Sequence, residues 1–124
     1  MKLLLDTHAA LWFVSADDRL GASAKQHLFD DDNRVLLSAV VVWEIAIKRS
    51  LRKLSVTDRY LRLLLGAGVQ QMPVSLDHAA AVESLPWHHR DPFDRMLVAQ
   101  AQLEHATLVS GDEALAAYGV PVIW

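Results

Sequence analysis

The sequence contains no cysteine. That absence removes disulfides and thiolate metal sites together, and it fits a chain expected to work in a reducing cytoplasm. Long apolar runs are missing as well. Stretches such as LLL at residues 3–5 and VVVW at 40–43 meet a charge long before the roughly 20 residues that a membrane helix needs. Only two residues precede Leu3, too few for the charged region and cleavage site of a signal peptide, so a cytoplasmic protein with no membrane contact is expected. Repeats, low-complexity tracts and linkers are likewise absent. At 124 residues and 52% hydrophobic side chains the chain can bury one core and falls short of two ordinary domains, so a single domain over residues 1–124 is expected.

Overall basicity is lacking too. A net charge of −3 speaks against nucleic acid only if positive charge is evenly spread, and it is not. Lys48, Arg49, Arg52, Lys53, Arg59 and Arg62 cluster against one acid, Asp58. Such a segment is either a solvated helix face or a phosphate-contacting patch, with Lys48, Arg49, Arg52 and Lys53 as the contact candidates.

What is present is an alternation of short apolar runs with longer amphipathic ones. Residues 2–5, 34–38, 69–74, 107–110 and 120–123 read as strands bounded by turn signals. Segments 8–14, 22–29, 40–54, 57–68, 76–85, 92–105 and 112–119 carry apolar residues mostly at spacings of three and four and read as helices. Strands with little polar alternation, separated by helices, predict an α/β fold whose parallel sheet is covered on both faces.

In such sheets the working crevice lies beyond the carboxyl ends of the strands. Asp6 follows LLL directly, and Asp112 follows TLVS with only Gly111 between. Either could be a plain helix N-cap, a role that contributes about 1 kcal/mol. Glu44 is surrounded by Val41, Val42, Trp43, Ile45 and Ile47, surroundings that an exposed ion pair with Lys48 does not need. In the segment DPFD, Asp91 suits the N-cap and Pro92 the first helical position. Asp94 then falls at the third position, either in a capping box or pointing into the same crevice as Asp6.

Four carboxylates with no cysteine or histidine-rich ligand set call for a hard, oxygen-preferring cation, Mg²⁺ or Mn²⁺. An ion in such a site activates water and neutralises charge on a phosphodiester under in-line attack. His8, His88 and His89 lie near these acids in sequence and are read as structural or substrate-contact residues. Trp12, Trp43, Trp87 and Trp124 are read as core or interface anchors.

The motifs LLLDTHAALW, LSAVVVWEIAIK, HRDPFDRMLVAQA and TLVSGDEAL, in that order, resemble those of PIN-domain ribonucleases, and most closely the VapC-type toxins of toxin-antitoxin modules. The resemblance runs from end to end. It implies a PIN-like three-layer α/β/α sandwich with a mainly parallel sheet. It also implies a divalent-metal endoribonuclease with catalytic and metal-binding acids at Asp6, Glu44, Asp94 and Asp112, an RNA substrate, a homodimer, and a small cognate antitoxin. Departures are Val41 where relatives often carry serine, Arg52 where a glycine commonly precedes Lys-Leu, and Ser110 in place of threonine. Two other functions stay open. A phosphoryl-transfer enzyme could use Asp6 as nucleophile, although His8 stands where a second acid is expected and no lysine follows Lys53. A non-catalytic binding module of the same fold is the other, although clustered acids without a ligand repel one another.

Overall fold

Leu3, Leu4 and Leu5 show no polar alternation because their strand, β1 (Lys2–Leu5), is the middle strand of the sheet and all three side chains are fully buried. The computed structural model describes all 124 residues. Its five strands, β1, β2 (Arg34–Ser38), β3 (Gln70–Met72), β4 (Thr107–Val109) and β5 (Val122–Ile123), run in the order β3-β2-β1-β4-β5 and every pairing is parallel. Leu3 lies opposite Val35 on one side and Thr107 on the other. Six α-helices cover the two faces as an α/β/α sandwich: α1 (Thr7–Phe13), α2 (Ala22–Leu28), α3 (Ala39–Ser50), α4 (Asp58–Leu65), α5 (Leu76–Ala81) and α6 (Pro92–Glu104). No helix is long and apolar enough to cross a membrane.

The strand order positions the site. The chain builds outward from β1 to β2 to β3, then crosses to the opposite side of β1 to lay down β4. Between β1 and β4 the connections leave in opposite directions, which opens a crevice at the carboxyl ends of those two strands. The Asp6 amide donates to the Val109 carbonyl at 3.1 Å, so the segments leaving β1 and β4 emerge side by side. Buried Gln100 ties the neighbouring helices together. It accepts from the Ser38 hydroxyl at 2.6 Å and donates to the Pro73 carbonyl at 3.2 Å, while the same hydroxyl caps α3 by accepting from the Val40 amide. The start of α3 is thereby pinned to the middle of α6.

Each expected strand and helix is found in its place, with ends that shift by up to three residues, as where α4 stops at Leu65 and β3 covers only Gln70–Met72, and with three larger local differences. The segment 76–85 is α-helical to Ala81 and then tightens into a 3₁₀ turn at Val82–Ser84. Residues Glu113–Tyr118 form a 3₁₀ helix and not an α-helix. Only six residues separate the Asp112 cap from Gly119, which turns at φ 80° to feed β5, and so short a span closes i to i+3 bonds such as Leu115 to Asp112.

Helix α3 stops at Ser50, four residues short of the expected end. Arg52 adopts φ 56°; its amide donates to the Arg49 carbonyl at 3.0 Å, and the Lys53 amide donates to Lys48 at 2.8 Å. This is a Schellman stop, in which glycine is the usual left-handed residue and any Cβ is strained. No glycine marks it in the sequence. Arg52→Gly is therefore expected to stabilise the protein by about 1 kcal/mol, raising Tm by roughly 3–5 °C. A thermal melt in the absence of RNA tests this, and a lowered Tm would show that the Arg52 side chain contributes more than its backbone costs.

Candidate functional site

Asp6 leaves β1 and at once caps α1, accepting the Ala9 amide at 2.8 Å. The side chain is 8% exposed, so it does not face open water. Burial pushes its pKa up, against the hydrogen bonds from the Ser110 hydroxyl and the Ala9 amide that favour the charged form. Ser110 works in both directions, because its oxygen also accepts the Asp112 amide at 3.1 Å. Serine in place of threonine thus keeps the one group that links the two strand-end acids. Asp112 caps the 3₁₀ helix through the Ala114 amide at 3.0 Å.

Glu44 enters from α3 and is 6% exposed. Its Oε1 accepts from the Thr7 hydroxyl at 2.6 Å, and its Oε2 accepts from Lys48 at 2.5 Å. The ion pair four residues apart does form, then, but with the acid buried at the cleft and not on an outer face. The hydrogen bond to Glu44 holds the Lys48 ammonium pKa above its ordinary value. Thr7 carries no motif of its own in the sequence; its position directly after Asp6 is the only local hint.

Asp94 arrives on the first turn of α6. Of its two readings, the capping box is not made. The Asp91 carboxylate accepts the amides of Phe93 at 2.8 Å and Asp94 at 3.1 Å, as a cap should. The Asp91 amide, however, donates to Nδ1 of His89 at 3.1 Å, so it has no use for the Asp94 side chain. That side chain is left to face the other acids. Burial first, then the neighbouring Asp91, with Asp6 and Glu44 adding to it and His89 opposing, pushes the Asp94 pKa up to about 7.

Asp6, Glu44, Asp94 and Asp112 all line one cleft of about 650 Å³, together with Asp91 and Lys48. Two of these acids, Asp94 and Asp112, also group with His89, and the ligand atoms of these three lie within 4.8 Å of one another. Carboxylate oxygens dominate the donors, and a carboxyl pushed toward neutrality by burial and by neighbouring carboxylates is one that a hard cation would recharge. The residues present therefore fit a divalent ion held mainly by oxygen.

The basic segment is less uniform than its sequence suggests. Lys48 is engaged by Glu44, and Arg49 pairs with Asp58 at 2.6 Å, which lowers the Asp58 pKa. Arg52 and Lys53 are exposed and make no ion pair. Only those two of the four candidates stand ready for an outside anion. The tryptophans divide: Trp43 and Trp87 are 60% and 76% exposed and are not core residues, whereas Trp12 is half-buried, stacks on His8 at 5.1 Å and meets Trp124 at 5.7 Å. His89 is a residue near the acids whose contacts the sequence did not reveal, since two of the groups that hold it, Tyr118 and Asp112, lie 29 and 23 residues away.

Comparison with known proteins agrees with the fold. The family model described as PIN domain matches residues 3–121. Among solved structures, VapBC2 from Rickettsia felis bound to a promoter DNA fragment is similar with a TM-score of 0.73 at 15% identity, over 99% of this chain and 98% of that one. DNA-bound VapBC from Salmonella typhimurium gives 0.71 at 13% identity, over 99% and 97%. A toxin-antitoxin complex from Klebsiella pneumoniae gives 0.66 at 22% identity, over 98% and 96%. No curated protein sequence is similar to the chain.

Proposed function

The chain belongs to the PIN domain family, and from that premise we propose that it is a divalent-metal-dependent endoribonuclease acting as the toxin of a toxin-antitoxin module. The observation that carries this reading is the single cleft at the ends of β1 and β4 lined by Asp6, Glu44, Asp94 and Asp112. Their oxygens would hold Mg²⁺ or Mn²⁺. When bound, such an ion would supply Lewis acidity for phosphodiester hydrolysis. Asp6 and Asp112, fixed by their caps and bridged by Ser110, set the floor of the site. Glu44 is oriented by Thr7 and screened by Lys48, which also places a positive charge where a phosphate would arrive. An aspartyl nucleophile at Asp6 fits less well, because His8 stands where a second acid is expected and no lysine follows Lys53.

The partners follow from the same reading: RNA as substrate, a small antitoxin as restraint, a homodimer as the working form, and the cytoplasm as location. The similar structures from Rickettsia felis, Salmonella typhimurium and Klebsiella pneumoniae are themselves VapBC or toxin-antitoxin complexes. Exposed Trp43, and Trp12 at the cleft rim, supply aromatic anchors for an antitoxin segment lying across these helices. The deciding experiment combines cleavage and growth. The purified chain should cut RNA with Mg²⁺ or Mn²⁺ and stop in EDTA, and its expression should arrest growth unless the protein encoded beside it is supplied. Cleavage that survives exhaustive chelation, or harmless expression of folded protein, would sink the reading.

Exposed Arg52 and Lys53 carry a separate expectation. Replacing both with glutamine should weaken RNA binding and lower the slope of log K against log salt by about 1–2, with metal affinity unchanged. The same change at Arg49, already paired with Asp58, should lower the slope less. An unaltered slope in the Arg52/Lys53 variant would return the segment to a merely solvated face.

A further inference from the structure

His89 is held at three points. Its backbone amide donates to the Tyr118 hydroxyl at 2.9 Å, its Nδ1 accepts the Asp91 amide at 3.1 Å, and its Nε2 lies 2.8 Å from Oδ2 of Asp112. Tyr118 is itself fixed from below by Arg95, a buried side chain on α6 that reaches its hydroxyl at 3.2 Å and also donates to the Pro86 carbonyl at 2.9 Å. So much restraint on a partly exposed loop histidine is more than packing requires.

The restraint also decides which nitrogen carries the proton. A backbone amide can only donate, so Nδ1 must present its lone pair to Asp91. In the neutral ring the proton then sits on Nε2, aimed at the Asp112 carboxylate, with Oδ2 of Asp94 at 3.5 Å. A nitrogen that carries a proton has no lone pair for a metal. His89 therefore completes the tight trio with Asp94 and Asp112 without being able to ligate an ion in this tautomer.

Resting on the metal-dependent reading above, we propose that His89 is a positioning residue and not a ligand: its fixed Nε2–H orients the Asp112 carboxylate, leaving oxygen atoms alone to take the divalent cation. The arrangement resembles the outer hydrogen bonds that orient ligands in many metal sites, with the roles of carboxylate and imidazole exchanged. One Asp112 oxygen is occupied by His89 and the other by the Ala114 amide, so the lone pairs still free are confined to a narrow range of directions.

Two substitutions separate the two ends of the ring. His89→Gln retains a donor near the Nε2 position, and His89→Asn retains an acceptor near the Nδ1 position and loses the donor. Mn²⁺ affinity of the full chain, measured by calorimetry, should stay within about threefold of the parent for His89→Gln and fall about 10- to 100-fold for His89→Asn and His89→Ala. Thermal melts in EDTA check that each variant is folded. Pulsed electron paramagnetic resonance of the Mn²⁺-loaded parent should show no nitrogen bound directly to the ion. Direct nitrogen coupling that disappears in His89→Gln would overturn the proposal, as would equal affinity across all variants. Failure of the parent to bind Mn²⁺ at all would instead overturn the metal-dependent reading, and the proposal with it.

Discussion

In EDTA the protein is expected to lose stability as the pH rises from about 4 to about 7, and Asp94→Asn is expected to abolish most of that loss. The cause is the Asp94 carboxyl, pushed from 3.8 to about 7 by burial and by Asp91, with Asp6 and Glu44 contributing. A raised carboxyl pKa means that the folded state binds the proton more tightly than the unfolded state does. Between the two pKa values the folded state holds more protons, so stability falls with rising pH and the full penalty is present above 7. The penalty is on the order of 2–4 kcal/mol. Asp6, shifted in the same direction, adds to it. Asp94→Asn should therefore be more stable than the parent at pH 8 in EDTA, by roughly 8–15 °C in Tm, and less able to gain from added Mn²⁺. Melts from pH 4 to 8 with and without metal provide the measurement. A flat profile through this window would mean that Asp94 ionises as an ordinary carboxylate, and a climbing one that folding lowers its pKa. The trade is a familiar one: a cluster assembled for a ligand destabilises the protein that lacks it.

How far the site could be read in advance differs from acid to acid. Asp6 and Asp112 were legible because the first directly follows an apolar run and the second follows one after a short turn at Ser110 and Gly111, and a parallel sheet places strand ends together whatever lies between them. Glu44 was legible by contrast, an acid without a polar face around it. Asp94 was only half legible. Its place in the first turn of α6 was plain, but its release from the cap depends on His89 taking the Asp91 amide. His89 in turn is held by Tyr118, 29 residues away in sequence. No local pattern encodes such a tether.

The fold shows the same division. Strand and helix positions rest on periodicity, which is local, and these agree with the structure. The stop of α3 does not follow from periodicity, because Arg52 occupies a left-handed position without the glycine that would announce it. The pairing of Arg49 with Asp58 was also hidden, since a chain turn between α3 and α4 brings them together. Nothing in the sequence singles out Arg95. It is buried, with its guanidinium 3.8 Å from the Trp87 ring centroid and hydrogen-bonded to carbonyls of the Val82–Pro86 segment.

Asp6→Asn should leave a folded protein that has lost RNA cleavage by about 10³-fold or more, and the same is expected of Glu44→Gln, Asp94→Asn and Asp112→Asn. The amide replacements keep shape and hydrogen-bonding reach while removing charge. For Asp6 the α1 cap survives, because asparagine accepts the Ala9 amide as well as aspartate does. A loss of activity there cannot then be blamed on the helix. Asp91→Asn is the internal control. It lines the same cleft and carries the same charge, yet its oxygen is committed to the Phe93 and Asp94 amides and its main-chain amide, not its side chain, holds His89. Asparagine preserves all of these, so Asp91→Asn should reduce cleavage by no more than about tenfold. Expression of each variant adds an independent readout: growth arrest should persist with Asp91→Asn and vanish with the four others. If Asp91 proved essential and Asp94 dispensable, the ligand and the cap within DPFD would have to be exchanged, and the release of Asp94 by His89 would lose its purpose.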